Sequence, residues 1–321
     1  MIETKLSKRR FLTIFVAATS AALMPSKMAR ASTLTSWKGT ALGADASLLF
    51  QGLSKPQERK LVGHVLAEVE RLEQIFSLYI PSSELCRLNR EGMLENPSHD
   101  MQVLLSQALW FWRQTDSAFN PAIQPLWLML KEHFANSPGS KGPDAGLIAS
   151  ALHLCKPENI EIRGGRIVMR PGMALTFNGI AQGYITDRVV EILRSEGLRH
   201  VLVDLGEMRA LPGRPWQVGL GGARAQATLA GRALATSAPA GMRLSKNSNW
   251  HHLVDPGTGK CPAHVRQVSV LSDEAMTADA LSTALAVSGP AGWERIARRF
   301  PHVSIHLETA EGRFFKTGQF D

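Results

Sequence analysis

The spacing of apolar residues along the chain predicts a mixture of helices and strands. Several stretches repeat an apolar residue every three or four positions, the spacing of one buried helix face. On this basis helices are predicted over residues 57–76, 101–113, about 185–196, about 278–288 and 291–299. The first of these carries Leu61, Val65, Val69, Leu72 and Ile75 or Phe76 on one face, and Gly197 is expected to end the third.

Short apolar runs between turn residues predict strands. Residues 40–50 form one predicted edge strand that Gly43 interrupts, and Arg163-Gly164-Gly165 joins a predicted hairpin of residues 160–162 and 166–170. Further strands are expected at residues 201–205, 216–219, 267–271 and around Ser304 and Phe314, and loops at residues 80–89 and 136–146. Hairpins mixed with helices favour an α+β, or mixed α/β, fold over a regular parallel sheet.

Residues 1–31 have the pattern of an export signal rather than of folded protein. A basic start precedes the apolar run FLTIFVAATSAALM, which is too short to span a bilayer comfortably, and Ala29-Arg30-Ala31 is a cleavage signal. The stretch SKRRFL is similar to a twin-arginine signal, with the general export route and a retained anchor as alternatives. The mature domain is therefore predicted to cover residues 32–321 and to lie in the periplasm.

Charge and cysteine content exclude two classes of function. Residues 1–31 hold six basic residues and one acidic residue, so the net charge of +8 falls to +3 in the mature chain. That charge does not indicate nucleic-acid binding. The three cysteines (Cys86, Cys155 and Cys261) are far apart without a CxxC, so they support no zinc site and at most one disulfide.

The segment AMTADALSTALAV carries the clearest candidate chemistry. Asp279 and Thr283 lie four residues apart, so they share a helix face, and Ser282 is adjacent. A carboxylate with a hydroxyl suits Mg²⁺, which prefers oxygen ligands and keeps sites for phosphate oxygens. Alternatively, Asp279 is a first-turn residue that favours the helix dipole, and Thr283 bonds a backbone carbonyl.

Two other stretches are candidates for the same chemistry. His251 and His252 precede the turn Asp255-Pro256-Gly257-Thr258-Gly259, and adjacent strand residues face opposite ways, so only one histidine can enter a site. The alternative is a structural turn with solvent-facing histidines. Thr236 and Ser237 lie in a predicted small-residue loop, which could approach a phosphate or a ring, or could be an ordinary turn.

Six segments in one order resemble the ApbE family of FAD-dependent protein flavin transferases. Four are LTFNGIAQGYITDRV, VLVDLGEMRA, ATSAPAGM with HHLVDPGTGKCP, and AMTADALSTALAVSG; the other two are FSLYIPSSELCRLN and TDSAFNPAIQPL, with LGA at residues 42–44 as a weak seventh. The resemblance covers residues 37–320. It implies a single compact unit of antiparallel-rich sheets flanked by helices.

The resemblance also implies a reaction and a set of site residues. An exported enzyme would bind FAD with Mg²⁺ and move FMN onto a Thr or Ser hydroxyl of an acceptor flavoprotein, with AMP leaving. The implied metal ligands are Gly179, Asp279, Ser282 and Thr283, and the implied catalytic residues are His252 and Asp279. The implied cofactor-binding positions are Leu42, Tyr79, Ala118, Phe119, Asn120, Thr176, Gln182, Asp187, Thr236, Ser237, His252 and Leu253; Asp187 is read as an orienter of the glycine loop.

Four positions depart from the family pattern. Thr176, Gln182 and Asn120 are neutral where members usually carry a charge, and Asn178 replaces a glycine or serine. Asn-Gly-Ile-Ala-Gln-Gly-Tyr is similar to the NosX-like subgroup linked to nitrous-oxide reductase maturation, which implies a membrane-bound acceptor of the NosR type. The charge losses keep two alternatives open: a flavin-binding carrier without transferase activity, and a metal-dependent FAD pyrophosphatase.

Overall fold

The computed structural model describes residues 34–220, 225–245 and 249–320, and within them helices and antiparallel strands are interleaved. The helices are α1 (Lys55–Phe76), α2 (Glu84–Glu91), α3 (His99–Gln114), α4 (Gln124–Asn136), α5 (Ala145–His153), α6 (Ala181–Ser195), α7 (Ala275–Val287) and α8 (Pro290–Arg299). The strands are β1 (Leu34–Ala41), β2 (Ala44–Gln51), β3 (Met93–Glu95), β4 (Glu161–Arg163), β5 (Arg166–Val168), β6 (Val201–Asp204), β7 (Met208–Ala210), β8 (Trp216–Gly219), β9 (Gln226–Leu229), β10 (Ala233–Ser237), β11 (Val265–Ser272), β12 (Ser304–Thr309) and β13 (Phe314–Thr317).

The main sheet has eight strands in the order β1-β2-β6-β7-β10-β11-β12-β13, with antiparallel neighbours throughout. A three-stranded sheet (β3-β5-β4) and the hairpin β8-β9 are separate from it. The mixed α/β architecture and the antiparallel-rich sheets flanked by helices are therefore confirmed. The export signal predicted over residues 1–31 lies outside the described residues. In the described part of the chain, no helix is both long and apolar enough to cross a membrane.

Most predicted elements form close to their expected bounds. The apolar face predicted for α1 is buried from Leu61 to Phe76, and a capping box between Ser54 and Gln57 starts the helix. The hairpin β4-β5 turns at Gly164 and Gly165, whose φ angles of 57° and 71° suit a residue without Cβ. Sequence reasoning missed α4, whose apolar residues pack as a separate small cluster against α5.

The loop predicted over residues 80–89 is wrong in its second half, where α2 forms. The Ser83 hydroxyl accepts a hydrogen bond from the Cys86 backbone N–H at 3.0 Å, so a polar stretch starts a helix. Leu85 and Leu88 are fully buried. The side chain of Asn89 then makes hydrogen bonds with both backbone groups of Leu175, at 2.9 and 2.7 Å. α2 thereby fixes the start of the glycine-rich segment, residues 175–183, which leads into α6.

The single strand predicted over residues 40–50 is a hairpin. β1 and β2 pair antiparallel and turn at Leu42 and Gly43, with φ angles of 56° and 68°. Two successive residues in the left-handed region are typical of a two-residue hairpin turn. The glycine read as an interruption within one strand is therefore the turn between two.

Helix α7 lies between the main sheet and α6, and this position explains its composition. Ala278, Leu281, Ala284 and Leu285 are fully buried, and α7 packs on β10, β11 and α6 together. A helix that is apolar all round is expected where neighbours cover it on several sides. Alanine at several positions lets those neighbours approach closely. The two polar residues Asp279 and Ser282 are buried in this setting and therefore require specific partners.

Candidate functional site

Helix α7 and the glycine-rich segment that leads into α6 meet at three antiparallel contacts, each one helical turn from the next. We call these contacts the α6–α7 ladder; its rungs are Gly179 with Thr283, Gly183 with Asp279, and Asp187 with Ala275 and Met276. Residues four apart lie on one helix face, so the three rungs form one line. The ladder runs from the buried Asp187, through the buried Asp279, to the half-buried Gly179 and Thr283, so its outer end is the one that approaches solvent.

The middle rung joins the two backbones at Gly183. A Cβ there would lie 2.6 Å from the Met276 Cα and would also overlap the Ala275 carbonyl oxygen, so only glycine fits. The Gly183 N–H donates to Asp279 Oδ2 at 3.1 Å. The Asp279 side chain is 4% exposed and belongs to the second turn of α7. The alternative reading of Asp279 as a first-turn residue is therefore wrong.

The outer rung brings the glycine-rich turn against Thr283. A Cβ on Gly179 would lie 2.9 Å from Thr283 Oγ1, so the absence of a side chain allows the close approach. The outer two rungs thus bring together the Asp279 carboxylate, the Thr283 hydroxyl and the backbone of Gly179, three of the residues that the family resemblance implied as metal ligands. Within the described residues, no three His, Cys, Asp or Glu side chains cluster as metal ligands. An oxygen-only donor set with a single carboxylate fits a hard cation that shares its shell with phosphate oxygens.

The inner rung is formed by Asp187. Its carboxylate accepts hydrogen bonds from the N–H groups of Ala275 at 2.8 Å and Met276 at 2.9 Å, and from Arg209 Nη1 at 2.6 Å. Burial raises the pKa of Asp187 to about 6, against the opposing effects of Arg209 and the two N–H groups. The side chain of Asp187, which was predicted to contact the cofactor, therefore points toward the start of α7.

Ser282 faces the sheet. Its hydroxyl lies 2.8 Å from Ser237 Oγ on β10 and donates to the Asp279 carbonyl at 3.0 Å. Thr236, the preceding residue of β10, contacts Ser269 Oγ on β11 at 2.9 Å. The loop predicted around Thr236 and Ser237 is therefore wrong: both residues close a strand, because β10 pairs with β11 through Ser237. Ser282 and Ser237 fix α7 to that strand end.

The rings of His251 and His252 contact each other, with centroids 6.4 Å apart, so the prediction that the two histidines face opposite ways is wrong. His251 is buried and its Nε2 lies 3.0 Å from the Pro262 carbonyl, so the reading of both histidines as solvent-facing is wrong. Burial lowers the pKa of His251. His252 is half-buried, with its Nδ1 3.2 Å from the Met242 carbonyl and its ring against Gly241. The segment that continues from Ser237 therefore holds His252, the histidine that the sequence selected.

The remaining candidate positions are distributed over several loops. The Thr176 N–H donates to the Pro121 carbonyl at 2.8 Å, which joins the stretch Ala118, Phe119 and Asn120 to the glycine-rich segment. Asn120 uses both ends of its amide, accepting from the Ala122 N–H and donating to the Cys155 carbonyl. An aspartate could not make the second bond, so the neutral residue suits its surroundings.

Four further candidates lie in separate parts of the chain. Leu42 is in the β1-β2 turn and packs against the main core, and Leu253 is buried in that core. Tyr79 follows α1 and is 70% exposed, an unusual position for an aromatic ring in a folded chain. Gln182 lies against Gly206, whose φ of 110° and lack of a Cβ make room for the amide.

Sequence reasoning missed Gly183, Gly206 and Arg209 as site residues. The glycines stood inside recognised segments, but their close contacts are with residues distant in the chain. Arg209 occurs in VLVDLGEMRA, and nothing in that stretch indicates that it pairs with Asp187.

The fold and the oxygen-lined ladder together define a mixed α/β protein with a candidate site for a phosphate-bearing ligand. Comparison with known proteins makes this class specific: the sequence profile of the ApbE family matches residues 40–307. An FAD:protein FMN transferase of Klebsiella pneumoniae (strain 342) is 33% identical over 242 residues, 71% of this chain and 75% of that protein. One of Treponema pallidum (strain Nichols) is 28% identical over 275 residues, 74% of each chain.

Solved structures give the same result for the fold. The apo flavinyl transferase ApbE of Pseudomonas stutzeri superposes with a TM-score of 0.76 at 25% identity, over 89% of this chain and 96% of that one. The ApbE protein of Thermotoga maritima superposes with a TM-score of 0.77 at 24% identity, over 89% and 97%. The chain belongs to the ApbE family. The predicted family, fold and enzyme class are thereby confirmed: it is a flavin transferase.

Proposed function

We propose that the enzyme moves FMN from FAD to a Ser or Thr hydroxyl of an acceptor flavoprotein, with Mg²⁺ at the outer end of the α6–α7 ladder. The observation that supports this proposal is the ladder itself, which sets Gly179 against Thr283 one turn beyond Asp279. The names of the relatives supply the donor FAD and a protein acceptor. Mg²⁺, when bound, neutralises charge on the pyrophosphate.

The reaction is a displacement at phosphorus. The acceptor hydroxyl oxygen forms a bond to the phosphorus of the FMN half of FAD, the bond from that phosphorus to the bridging oxygen breaks, and AMP leaves. The hydroxyl proton passes to a base, for which we propose His252 because its ring is half-exposed and fixed through the Met242 carbonyl. Asp279, Thr283 and Gly179 are the proposed metal ligands. Their role is positioning and charge neutralisation, which dominate phosphoryl transfer.

The test combines purified mature protein, FAD, MgCl₂ and a candidate acceptor domain. Covalent flavin fluorescence on the acceptor with one AMP per flavin supports the proposal. FMN and AMP released without an acceptor would instead identify an FAD pyrophosphatase, and tight FAD binding without any product would identify a carrier. Asp279→Asn keeps the size of the side chain and should abolish transfer. Unchanged turnover in that variant would overturn the metal assignment.

For the acceptor, we propose a membrane-bound flavoprotein of the NosR type, and for the location, the periplasm. The support is the sequence Asn-Gly-Ile-Ala-Gln-Gly-Tyr and the twin-arginine-like leader. Flavinylation of a NosR-type domain should exceed that of an unrelated periplasmic flavoprotein domain offered at equal concentration. Equal labelling of both domains would contradict this assignment while leaving the transferase proposal intact.

A further inference from the structure

The start of helix α7 is held by a side chain from another helix. The side chain of Glu274, the N-cap residue of α7, does not cap the backbone N–H groups of the helix, and its carboxylate accepts instead from the Thr277 hydroxyl at 3.4 Å. Asp187 of α6 accepts the N–H groups of the first two helical residues, Ala275 and Met276. The first N–H groups of a helix have no partner within it, and a carboxylate there also interacts favourably with the helix dipole. Asp187 therefore caps α7 from outside.

Asp187 is itself fixed to the sheet. Arg209 Nη1 donates to Asp187 Oδ1 at 2.6 Å, and Arg209 lies on β7, between β6 and β10 in the main sheet. The side chain of Arg209 is 20% exposed and that of Asp187 is 12% exposed, so the ion pair is largely removed from water. A buried carboxylate in such a position requires its partners, because losing one leaves a charge without compensation. One carboxylate thus joins α6, α7 and the sheet.

We infer that Asp187, held by Arg209, is a positioning residue that sets the register of α7 against α6 and so places Asp279 and Thr283 opposite Gly179. The three rungs are equally spaced, so a shift of α7 at the Asp187 end displaces the other two rungs as well. This inference rests on the proposed metal site. It assigns Asp187 a role toward the helix and not toward the flavin, which differs from the contact that the sequence implied.

Asp100 provides a matched control that contacts α6 at a different residue. Asp100 is also buried and accepts a hydrogen bond from an α6 residue, Tyr184, at 2.6 Å and from an arginine, Arg71, at 2.8 Å. It joins α6 to α1 and α3, and it makes no contact with α7 among its hydrogen bonds. Asp100→Asn therefore perturbs α6 to a similar degree without touching the ladder.

The experiment compares wild type, Asp187→Asn, Arg209→Gln, Arg209→Lys and Asp100→Asn. Three quantities are measured: the MgCl₂ concentration for half-maximal flavin transfer, the Kd for FAD with and without MgCl₂, and hydrogen exchange of the α7 amides. In Asp187→Asn we expect the half-maximal MgCl₂ concentration to rise about tenfold, the range seen when groups that orient metal ligands are removed. Exchange at Ala275 and Met276 should accelerate, and Arg209→Lys should recover part of the loss that Arg209→Gln shows.

Asp100→Asn is expected to lower the melting temperature and leave the MgCl₂ dependence unchanged. The inference is overturned if Asp187→Asn shifts the melting temperature alone, or if Asp100→Asn shifts the MgCl₂ dependence equally. If Asp187→Asn fails to fold, the comparison of Arg209→Gln with Arg209→Lys decides the question, because both variants keep Asp187 and its hydrogen bonds to α7. If wild type transfers no flavin, the proposed function fails, while FAD binding and amide exchange still test the positioning role.

Discussion

Two buried carboxylates attach helix α6 to its surroundings, and they differ in how their charge is compensated. Burial favours the neutral form of Asp100, but hydrogen bonds from Tyr184 and Arg71 overcome that effect and hold its pKa below the usual value. At Asp187 burial prevails, and the pKa is raised to about 6 although Arg209 and two N–H groups oppose the shift.

The comparison separates stability from function. The Asp100 side belongs to a network in which Arg71 also binds Glu68 at 2.8 and 2.9 Å, and its hydrogen bonds join α6 to α1 and α3 rather than to α7. The Asp187 carboxylate is buried although burial disfavours its charge, and it holds α7, the helix that carries Asp279. Strain and poorly compensated charge are expected where a site demands a fixed geometry, and much less in the packing elsewhere.

The largest expected effect on stability comes from a substitution that disrupts the α6–α7 ladder at Gly183. Gly183→Ala places a Cβ 2.6 Å from the Met276 Cα, and backbone cannot move aside as a side chain can. We expect a loss of about 3 kcal/mol or more in the free energy of unfolding, measured by urea titration. Gly63→Ala is the control, since nothing lies within 4 Å of its Cβ in helix α1, and it should stabilise by about 0.5–1 kcal/mol.

The next largest effect is expected when the charge of Asp100, the carboxylate stabilised by hydrogen bonds from Tyr184 and Arg71, is removed. Asp100→Asn keeps a side chain beside Tyr184 but weakens its hydrogen bonds and the pairing with Arg71. A loss of about 2 kcal/mol in the free energy of unfolding is expected, as for one impaired charged hydrogen bond in a buried site. A change below about 0.5 kcal/mol would contradict the view that this side of α6 supplies stability.

A smaller effect tests the neutral Asn120, at a position where the family resemblance implied an aspartate. Asn120→Asp loses the hydrogen bond to the Cys155 carbonyl and sets a negative charge beside it, so about 1 kcal/mol of stability should be lost. Asn178→Asp is the matched control, because residue 178 is exposed and should stay within about 0.5 kcal/mol. Thermal denaturation of both variants against wild type gives the comparison.

The smallest effect concerns pH. The native pKa of Asp187, about 6, exceeds its ordinary value of 3.8, so the native state binds the proton more tightly and the contribution of Asp187 to stability falls as pH rises from about 4 to about 6. The ionised form is nevertheless the one that accepts both α7 N–H groups. The charged residues that act on it are Arg209, which favours ionisation, and Glu274, which opposes it.

FAD binding in the presence of MgCl₂ should therefore be weakened about twofold at pH 6 relative to pH 7.5, because half of the Asp187 side chains are then protonated. Asp187→Asn lacks the titrating group and should not show this component. An identical pH dependence in both proteins would separate Asp187 from ligand binding.

Periodic elements were predictable because their signals are local. The apolar face of α1 and the Gly164-Gly165 turn follow from residues within one element. α2 was predicted as a loop because its stretch is polar: the cap from Ser83 is a local signal that was overlooked, whereas the burial of Leu85 and Leu88 depends on neighbouring elements. The Leu42-Gly43 turn was missed for a related reason: the flanking strands are similar enough to read as one.

The candidate site was predictable as a set of residues but not as an arrangement. Asp279 and Thr283 share a helix face by spacing alone, and the family resemblance added Gly179 and His252. Local signals do not show that Gly183 contacts Met276 or that Arg209 pairs with Asp187, since those residues are distant in sequence. The relation of Asp187 to α7 therefore required the fold.

That distance has a consequence for how the enzyme reaches its active form. The hydrogen bonds of the ladder join residues 96, 88 and 89 positions apart, and six strands lie between the two helices in the sequence: four of the main sheet and the two of the β8-β9 hairpin. Closing so long a segment is costly in chain entropy and contributes to slow folding. A nascent or partly folded chain has no ladder, so the proposed site for FAD and Mg²⁺ exists only in molecules that have completed the sheet. Ligand binding then acts as a check on finished folding and stabilises only the molecules that pass it.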